Sequence, residues 1–109
     1  MTVFQLTTDA DDARARVTVA GELDLVSAPE LEQTLRHLRL APAGDVVLDL
    51  REVTFIDSSG LRVVLVGSRD ARTAGHRFVV LAGTGQVRRV IDMAQVADHL
   101  ELGDDEVAG

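Results

Sequence analysis

The stretch that decides the fold reads VTFIDSSGL, residues 53–61. A short apolar run at Asp45–Leu50 comes before it and is typical of a strand covered on both faces. The Asp57-Ser58-Ser59 triplet then offers side-chain oxygens to the unpaired amides of a helix start. We therefore predict that residues 53–61 join a buried strand to a helix. Sites collect at such strand ends in open α/β sheets, although helix capping alone also explains the motif.

The segment after this junction is predicted to be a helix over Ser58–Ala74. Val63–Val66 favours a strand by propensity, but the cap and the length of the segment favour a helix. Apolar residues fall on one side of that helix at Leu61, Val64, Leu65 and Ala71. Gly75 is well placed to end it.

The chain before the junction predicts a hairpin and a helix. Val3–Thr8 and Ala15–Leu23 are the expected strands, separated by a polar turn. That turn contains Asp9, Asp11 and Asp12. A helix is expected to follow, with Ser27 and Glu30 as a capping box and Pro29 in the first turn. The dipeptide Ala41-Pro42 ends it.

The chain after the junction predicts a second buried strand at Arg77–Ala82, a helix at Gly85–Ala94 and an edge strand at Leu100–Leu102. The whole pattern is a hairpin followed by alternating helices and strands. We predict an α/β fold, a small mixed sheet with helices packed on it, as a single domain over residues 1–109.

Composition restricts the function. The formal net charge of −7 disfavours nucleic acid and anionic membranes as partners. All 11 basic residues other than histidine are arginines, so neither a Schiff base nor a phosphate-loop lysine can form. Cysteine is absent, and no apolar run approaches the roughly 20 residues of a membrane span. These features predict a cytoplasmic protein that needs no cofactor.

Particular residues argue against a serine hydrolase and against a metal site. A serine hydrolase needs a nucleophile elbow, which IDSSG at residues 56–60 does not match. None of His37, His76 and His99 is placed in the sequence to act as its base. The acidic turn lacks the glycine and the distal glutamate of a cation loop. We expect neither catalytic nor metal-binding residues.

Three segments together resemble a known family. They are GELD at residues 21–24, FIDSSGL at 55–61 and VRRVIDM at 87–93. In this order and spacing they closely resemble the STAS domain family, and within it the bacterial anti-sigma factor antagonists. The resemblance spans Val3 to Leu102 and is most specific at residues 57–61.

The resemblance implies a protein-binding switch rather than an enzyme. It implies that a partner, both anti-sigma factor and serine kinase, phosphorylates Ser58, and that a serine phosphatase reverses this. The unphosphorylated form then sequesters the kinase and frees a sigma factor. The implied partner-binding surface comprises Asp24, Asp57, Ser59, Gly60, Leu61 and Arg62. Gly60, lacking a side chain, is expected to leave room for the approaching partner.

The sequence departs from the family pattern in places. Arg62 stands where a second small glycine is frequent, which puts a bulky cation on the implied surface. Gly85 replaces a frequent proline, and Gln95-Val96 replaces a frequent Gly-Leu. After the position of Leu102, relatives often add a final helix. The alternative function is a STAS scaffold module without phosphorylation, in a stress-sensing or transport complex.

Overall fold

The structure is a computed structural model that describes residues 3–11, 13–39 and 44–103. The strands are β1 Gln5–Ala10, β2 Arg14–Leu23, β3 Asp45–Ile56, β4 Phe78–Leu81 and β5 Glu101–Gly103. The helices are α1 Ala28–Arg39, α2 Ser58–Thr73 and α3 Gln86–Met93, with a short 3₁₀ helix at Ala97–His99. No helix within these ranges is long and apolar enough to cross a membrane.

The described strands form one sheet in the order β1-β2-β3-β4-β5. β1 is antiparallel to β2, and each later pair of neighbours is parallel. Parallel neighbours need a crossover, and α1, α2 and α3 provide one for each parallel pair. The predicted α/β fold, a mixed sheet with a hairpin and packed helices, is confirmed.

The main core lies between the helices and one face of the sheet. Because side chains alternate across a strand, Val17 and Val19 of β2 point to this face together with Leu48 of β3. Residues from all three helices complete the same cluster, among them Leu31, Val64 and Ile91. A smaller cluster of Val47, Val79 and Leu81 lies on the opposite face.

Helix α2 confirms the prediction for this segment almost to the residue. Asp57 is its N-cap, and Ala74 is its C-cap. Gly75 follows with φ of +83°, a backbone conformation that glycine adopts without strain. The amides of Gly75 and His76 donate to the carbonyls of Arg72 and Ala71, which closes the helix with a Schellman motif.

Strands β1 and β3 differ from the prediction by two residues or more, and the other strand boundaries agree within one residue. β1 begins and ends two residues later than expected, so Asp9 lies inside the strand and not in the turn. The turn is held instead by Asp11, whose Oδ1 accepts from the amides of Ala13 and Arg14 at 2.8 and 3.0 Å. Asp12 lies outside the described residues. β3 extends six residues past Leu50, because it keeps pairing with β2 as far as Ile56.

The start of α1 is correct, but the predicted capping box does not form. The Ser27 hydroxyl donates to the carbonyl of Glu22 at 2.7 Å, five residues back, and the Glu30 amide donates to the Ser27 carbonyl. The dipeptide Ala41-Pro42, predicted to end the helix, lies outside the described residues. α1 is described as far as Arg39.

Candidate functional site at the start of helix α2

The site is built where two parallel strands end side by side. Leu23 at the end of β2 lies opposite Ile56 at the end of β3, so the residues that follow them share one edge of the sheet. After β2 comes the turn of residues 24–27, and after β3 comes Asp57 at the start of α2.

Asp57 connects these two segments through both carboxylate oxygens. Oδ1 accepts from the amide of Gly60 at 3.0 Å, which caps α2. Oδ2 accepts from the amide of Leu25 in the neighbouring turn at 3.2 Å. One side chain thus fixes the helix start and the turn relative to each other.

Ser58 is the first residue of α2 and is exposed, as predicted. Among the described residues, its hydroxyl has no hydrogen-bond partner. Ser59 was expected to cap the helix with its hydroxyl, and this was wrong, because Asp57 already holds the Gly60 amide. Ser59 is half-buried. The exposed hydroxyl at this junction is therefore that of Ser58.

Asp24 organises the turn rather than reaching toward Ser58. Its Oδ1 accepts from the amides of Val26 and Ser27 at 3.0 and 3.1 Å, and from the Ser27 hydroxyl at 3.2 Å. The Ser27 amide, first among these donors, holds the pKa of the Asp24 carboxyl below its usual range. Oδ2 has no partner within the described part of the chain, so it stays available for a partner.

Gly60 and Leu61 do not lie on the accessible surface, which corrects two expectations. A Cβ on Gly60 would sit 2.5 Å from the Leu23 carbonyl oxygen and 3.0 Å from Ile56 Cγ1. The missing side chain therefore allows α2 to pack on the strands and leaves no opening for a partner. Leu61 is buried in the core, so its side chain supports the site from beneath.

Arg62 is exposed one turn after Ser58 on the same helix. Residues four apart on a helix are surface neighbours, with about 5–6 Å between their Cβ atoms. Of the predicted binding residues, Asp24, Asp57, Ser59 and Arg62 therefore remain at or near the surface around Ser58.

Two apolar residues next to the site were not predicted from the sequence to belong to it. Leu25 and Val26 form the tip of the 24–27 turn and are 72% and 87% exposed. Exposed apolar side chains beside a functional motif are a signal of protein binding. A signal for them is present in LDLVSAPE, residues 23–30, where two apolar residues lie between a strand end and a helix start.

Gln86 was also missed, and it fixes the end of β3 from the other side. Its Oε1 accepts from the amide of Ile56 at 2.8 Å, and its Nε2 donates to the Ile56 carbonyl at 3.5 Å. β4 pairs with β3 only as far as Asp49, so this side chain takes the place of a neighbouring strand. The first residue of α3 thus positions the backbone just before Asp57.

Among the described residues, His37 and His76 are held away from Ser58, so neither is placed to act as the base of a serine hydrolase. Nδ1 of His76 lies 3.5 Å from Asp45 Oδ1, at the start of β3 and so at the opposite edge of the sheet. Nδ1 of His37 lies 3.1 Å from the carbonyl oxygen of Gln33 on α1. Within the described ranges, no three acidic or histidine side chains gather as a metal site. The geometry therefore fits a surface for protein contact and modification.

Comparison with known proteins agrees with this geometry. The family model described as Mlab, STAS domain, matches residues 6–103. The anti-sigma-B factor antagonist of Staphylococcus epidermidis is 30% identical over 89 residues, covering 81% of this chain and 82% of that protein. An anti-sigma factor antagonist from Mycobacterium paratuberculosis has a similar structure, with a TM-score of 0.82 and 27% identity, covering 92% of this chain and 85% of that one.

A third similarity concerns the fold alone. The Bacillus cell fate determinant SpoIIAA, solved in its phosphorylated form, has a TM-score of 0.71 and 20% identity, covering 95% of this chain and 94% of that one. The chain therefore belongs to the STAS domain family, and within it to the anti-sigma factor antagonists. The resemblance predicted from three short segments is confirmed.

Proposed function

We propose that this protein is a phosphorylation-switched antagonist whose unphosphorylated form binds an anti-sigma factor that is also a serine kinase. Binding sequesters that factor and frees a sigma factor for transcription. The observation that carries the proposal is the exposed Ser58 hydroxyl, without a hydrogen-bond partner among the described residues, at a rigid helix start. The domain acts in the cytoplasm as a substrate and catalyses no reaction itself.

The modification chemistry needs an accessible nucleophile and little else from this chain. The Ser58 Oγ would attack the γ-phosphorus of ATP bound to the kinase, ADP would leave, and the hydroxyl proton would pass to a base of the kinase. A separate phosphatase would return the serine by hydrolysis, with water taking up the phosphoryl group. Exposure of Ser58 suits both reactions, since each enzyme must reach the same oxygen.

The contact surface combines an apolar tip with a polar rim. Leu25 and Val26 would be the apolar anchors, because removing exposed apolar area from water is the main favourable term in association. Asp24, Asp57, Ser59 and Arg62 would lie around them as a charged and polar rim. The Asp57–Leu25 hydrogen bond holds the anchors next to the phosphorylation site. A partner that covers the tip therefore also covers Ser58.

Phosphorylation would act at this interface rather than on the fold. A phosphoryl group adds about −1.5 to −2 charges, and at the start of a helix such charge is locally favourable. The helix should therefore persist, because the added charge lies at its positive end. Binding would instead strip water from this added charge, and that desolvation opposes association.

The direct experiment is phosphopeptide mapping of the protein purified from its native cells with phosphatase inhibitors. We expect phosphate on Ser58. A Ser58→Ala chain expressed there should carry none, and a Ser59→Ala chain should be modified normally, because Ser59 is half-buried beside the cap. Phosphate mainly on Ser59, or none on either serine under any growth condition, would contradict the proposal.

A further inference from the structure

Arg62 differs from most arginines of the described chain in having no acidic partner there. The exposed arginines farther along α2 are engaged: Arg69 pairs with Asp70 at 3.2 Å, and Arg72 donates to the His99 carbonyl at 3.2 Å. The Arg62 guanidinium has neither an ion pair nor a hydrogen bond within the described ranges. A guanidinium held on a rigid helix without an acceptor is ready to bind an incoming anion.

The helix places this guanidinium beside Ser58. The two residues are four positions apart on α2, and both are exposed, while the residues between them are half-buried or buried. Ser58 and Arg62 therefore lie on one solvent-facing stripe, at the spacing where opposite charges on a helix attract. An arginine side chain easily spans the remaining distance to a phosphoserine oxygen and can donate two hydrogen bonds to it.

We propose that phosphorylated Ser58 forms an ion pair with Arg62 within helix α2. The inference rests on the proposed phosphorylation of Ser58 and adds a second effect to it. The pair turns Arg62 away from the partner and toward the phosphate, so the modification removes one cation from the contact surface as well as adding an anion. The strength of the electrostatic interaction that the phosphate makes with its own helix thus depends on Arg62.

The neighbouring charges decide how much this pair matters. Asp57 precedes Ser58 directly, and Asp24 lies in the turn whose Leu25 amide donates to Asp57, so two carboxylates belong to the segments next to the phosphate. Arg62 is the nearest cation on the same helix, since Arg69 comes almost two turns later. Without Arg62, a phosphate would meet mainly negative charge and would hold its second proton more tightly.

The test measures titration of the phosphate in the folded protein. Phosphoserine is incorporated at position 58 during translation, so no kinase is needed, and its second pKa is followed by phosphorus NMR. We expect this pKa to be lower by about 0.15–0.4 unit in the chain that keeps Arg62 than in Arg62→Gln, as for an ion pair on a helix surface. Arg62→Lys should restore most of the difference, and 1 M salt should reduce it.

A matched control separates pairing from general charge. Arg69→Gln removes the same charge from the same helix, about 16 Å from Ser58 along its axis, and should leave the phosphate pKa unchanged. Equal pKa values in the unmodified and Arg62→Gln backgrounds would overturn the inference, as would loss of helix content in the phosphoserine protein. Failure of the proposed function would have a different readout, because Ser58 would then carry no phosphate in native cells.

Discussion

The carboxylate of Asp57 accepts a hydrogen bond from the backbone amide of Leu25 at 3.2 Å, across 32 positions of sequence. The same carboxylate caps α2 through the Gly60 amide. The apolar tip of the 24–27 turn and the modifiable serine are therefore held together by one side chain. This hydrogen bond explains how a small surface can present the exposed Leu25 and the proposed phosphorylation site Ser58 as one unit.

Asp57→Asn should release the turn while leaving the helix capped. Asparagine keeps one acceptor oxygen but presents an NH₂ group in place of the other, so one of the two accepted hydrogen bonds is lost. We expect a loss of about 1–2 kcal/mol in unfolding free energy. Hydrogen exchange should become faster at the Leu25 amide but not at that of Gly60.

Asp11→Asn is the matched control for that variant. At Asp11, a single oxygen accepts both turn amides, and this turn lies at the opposite end of β2. Asparagine can keep both bonds there, so the denaturation midpoint should stay nearly unchanged. Equal effects of the two substitutions would refute the bridging role of Asp57.

Gly60→Ala should destabilise the fold rather than only block a partner. The added Cβ would lie 2.5 Å from the Leu23 carbonyl oxygen, and a shift of strand backbone to relieve this clash costs free energy. We expect a loss of about 1–3 kcal/mol in chemical denaturation, typical of overpacking. Gly85→Ala, whose Cβ would meet nothing within 4 Å, should cost less than about 1 kcal/mol. If the Gly60→Ala protein were as stable as the unmodified one, the expectation that Gly60 leaves room for a partner would stand again.

Gln95→Gly should stabilise the protein. Gln95 has φ of +59° at the end of α3, where the amides of Gln95 and Val96 donate to Asp92 and Ile91 in a Schellman motif. This left-handed conformation is costly for residues with a Cβ, so glycine should add about 0.5–1 kcal/mol. Ala94→Gly, at φ of −79°, should be destabilising in the same thermal denaturation assay. A destabilised Gln95→Gly protein would contradict this reading of the cap.

Asp49 should make stability depend on acid pH. It is buried on the sheet face away from the main core and accepts from Arg16 and Arg51, each at 2.8 Å. Burial raises the pKa of Asp49, but the hydrogen bonds of Arg51 and the charges of both arginines outweigh it, so the net pKa is lowered. A lowered folded-state pKa gives stability that is present above about pH 4 and is lost as pH falls below it.

The corresponding variant is Asp49→Asn, measured by urea denaturation at several pH values. It should lose about 1–3 kcal/mol at pH 7, and the difference from the unmodified protein should shrink below pH 4. Asp92→Asn breaks an exposed pair with Arg88 and should cost less than about 0.5 kcal/mol. A difference for Asp49→Asn that stays constant down to pH 2 would argue against the ion-pair network.

Local signals made α2 predictable, whereas long-range pairing hid other features. The cap at Asp57 and the stop at Gly75 lie within the segment itself, so they outweighed the strand propensity of Val63–Val66. The second half of β3 has mostly exposed residues and is a strand because β2 pairs with it through register shifts near Thr18 and Gly21. No local pattern encodes such pairing.

The site was predicted only in outline, because some of its features are encoded locally and others depend on long-range contacts. The exposed Ser58 follows from the motif, but the roles of Asp24 and Gly60 depend on contacts made in three dimensions. Asp24 caps the turn in place of the expected Ser27–Glu30 box, because the Ser27 hydroxyl is bonded to Glu22. Gly60 meets Leu23, a residue far away in sequence. Sequence thus located the surface and misjudged which residues face outward.

The proposed switch is tested most directly by a calorimetric titration of the proposed partner, an anti-sigma factor kinase, with this protein carrying either serine or phosphoserine at position 58. Circular dichroism should show the same fold and similar melting temperatures for both forms. The account predicts that the phosphorylated form binds at least about a hundredfold more weakly, a difference of about 3 kcal/mol. Equal affinities of the two forms would contradict it.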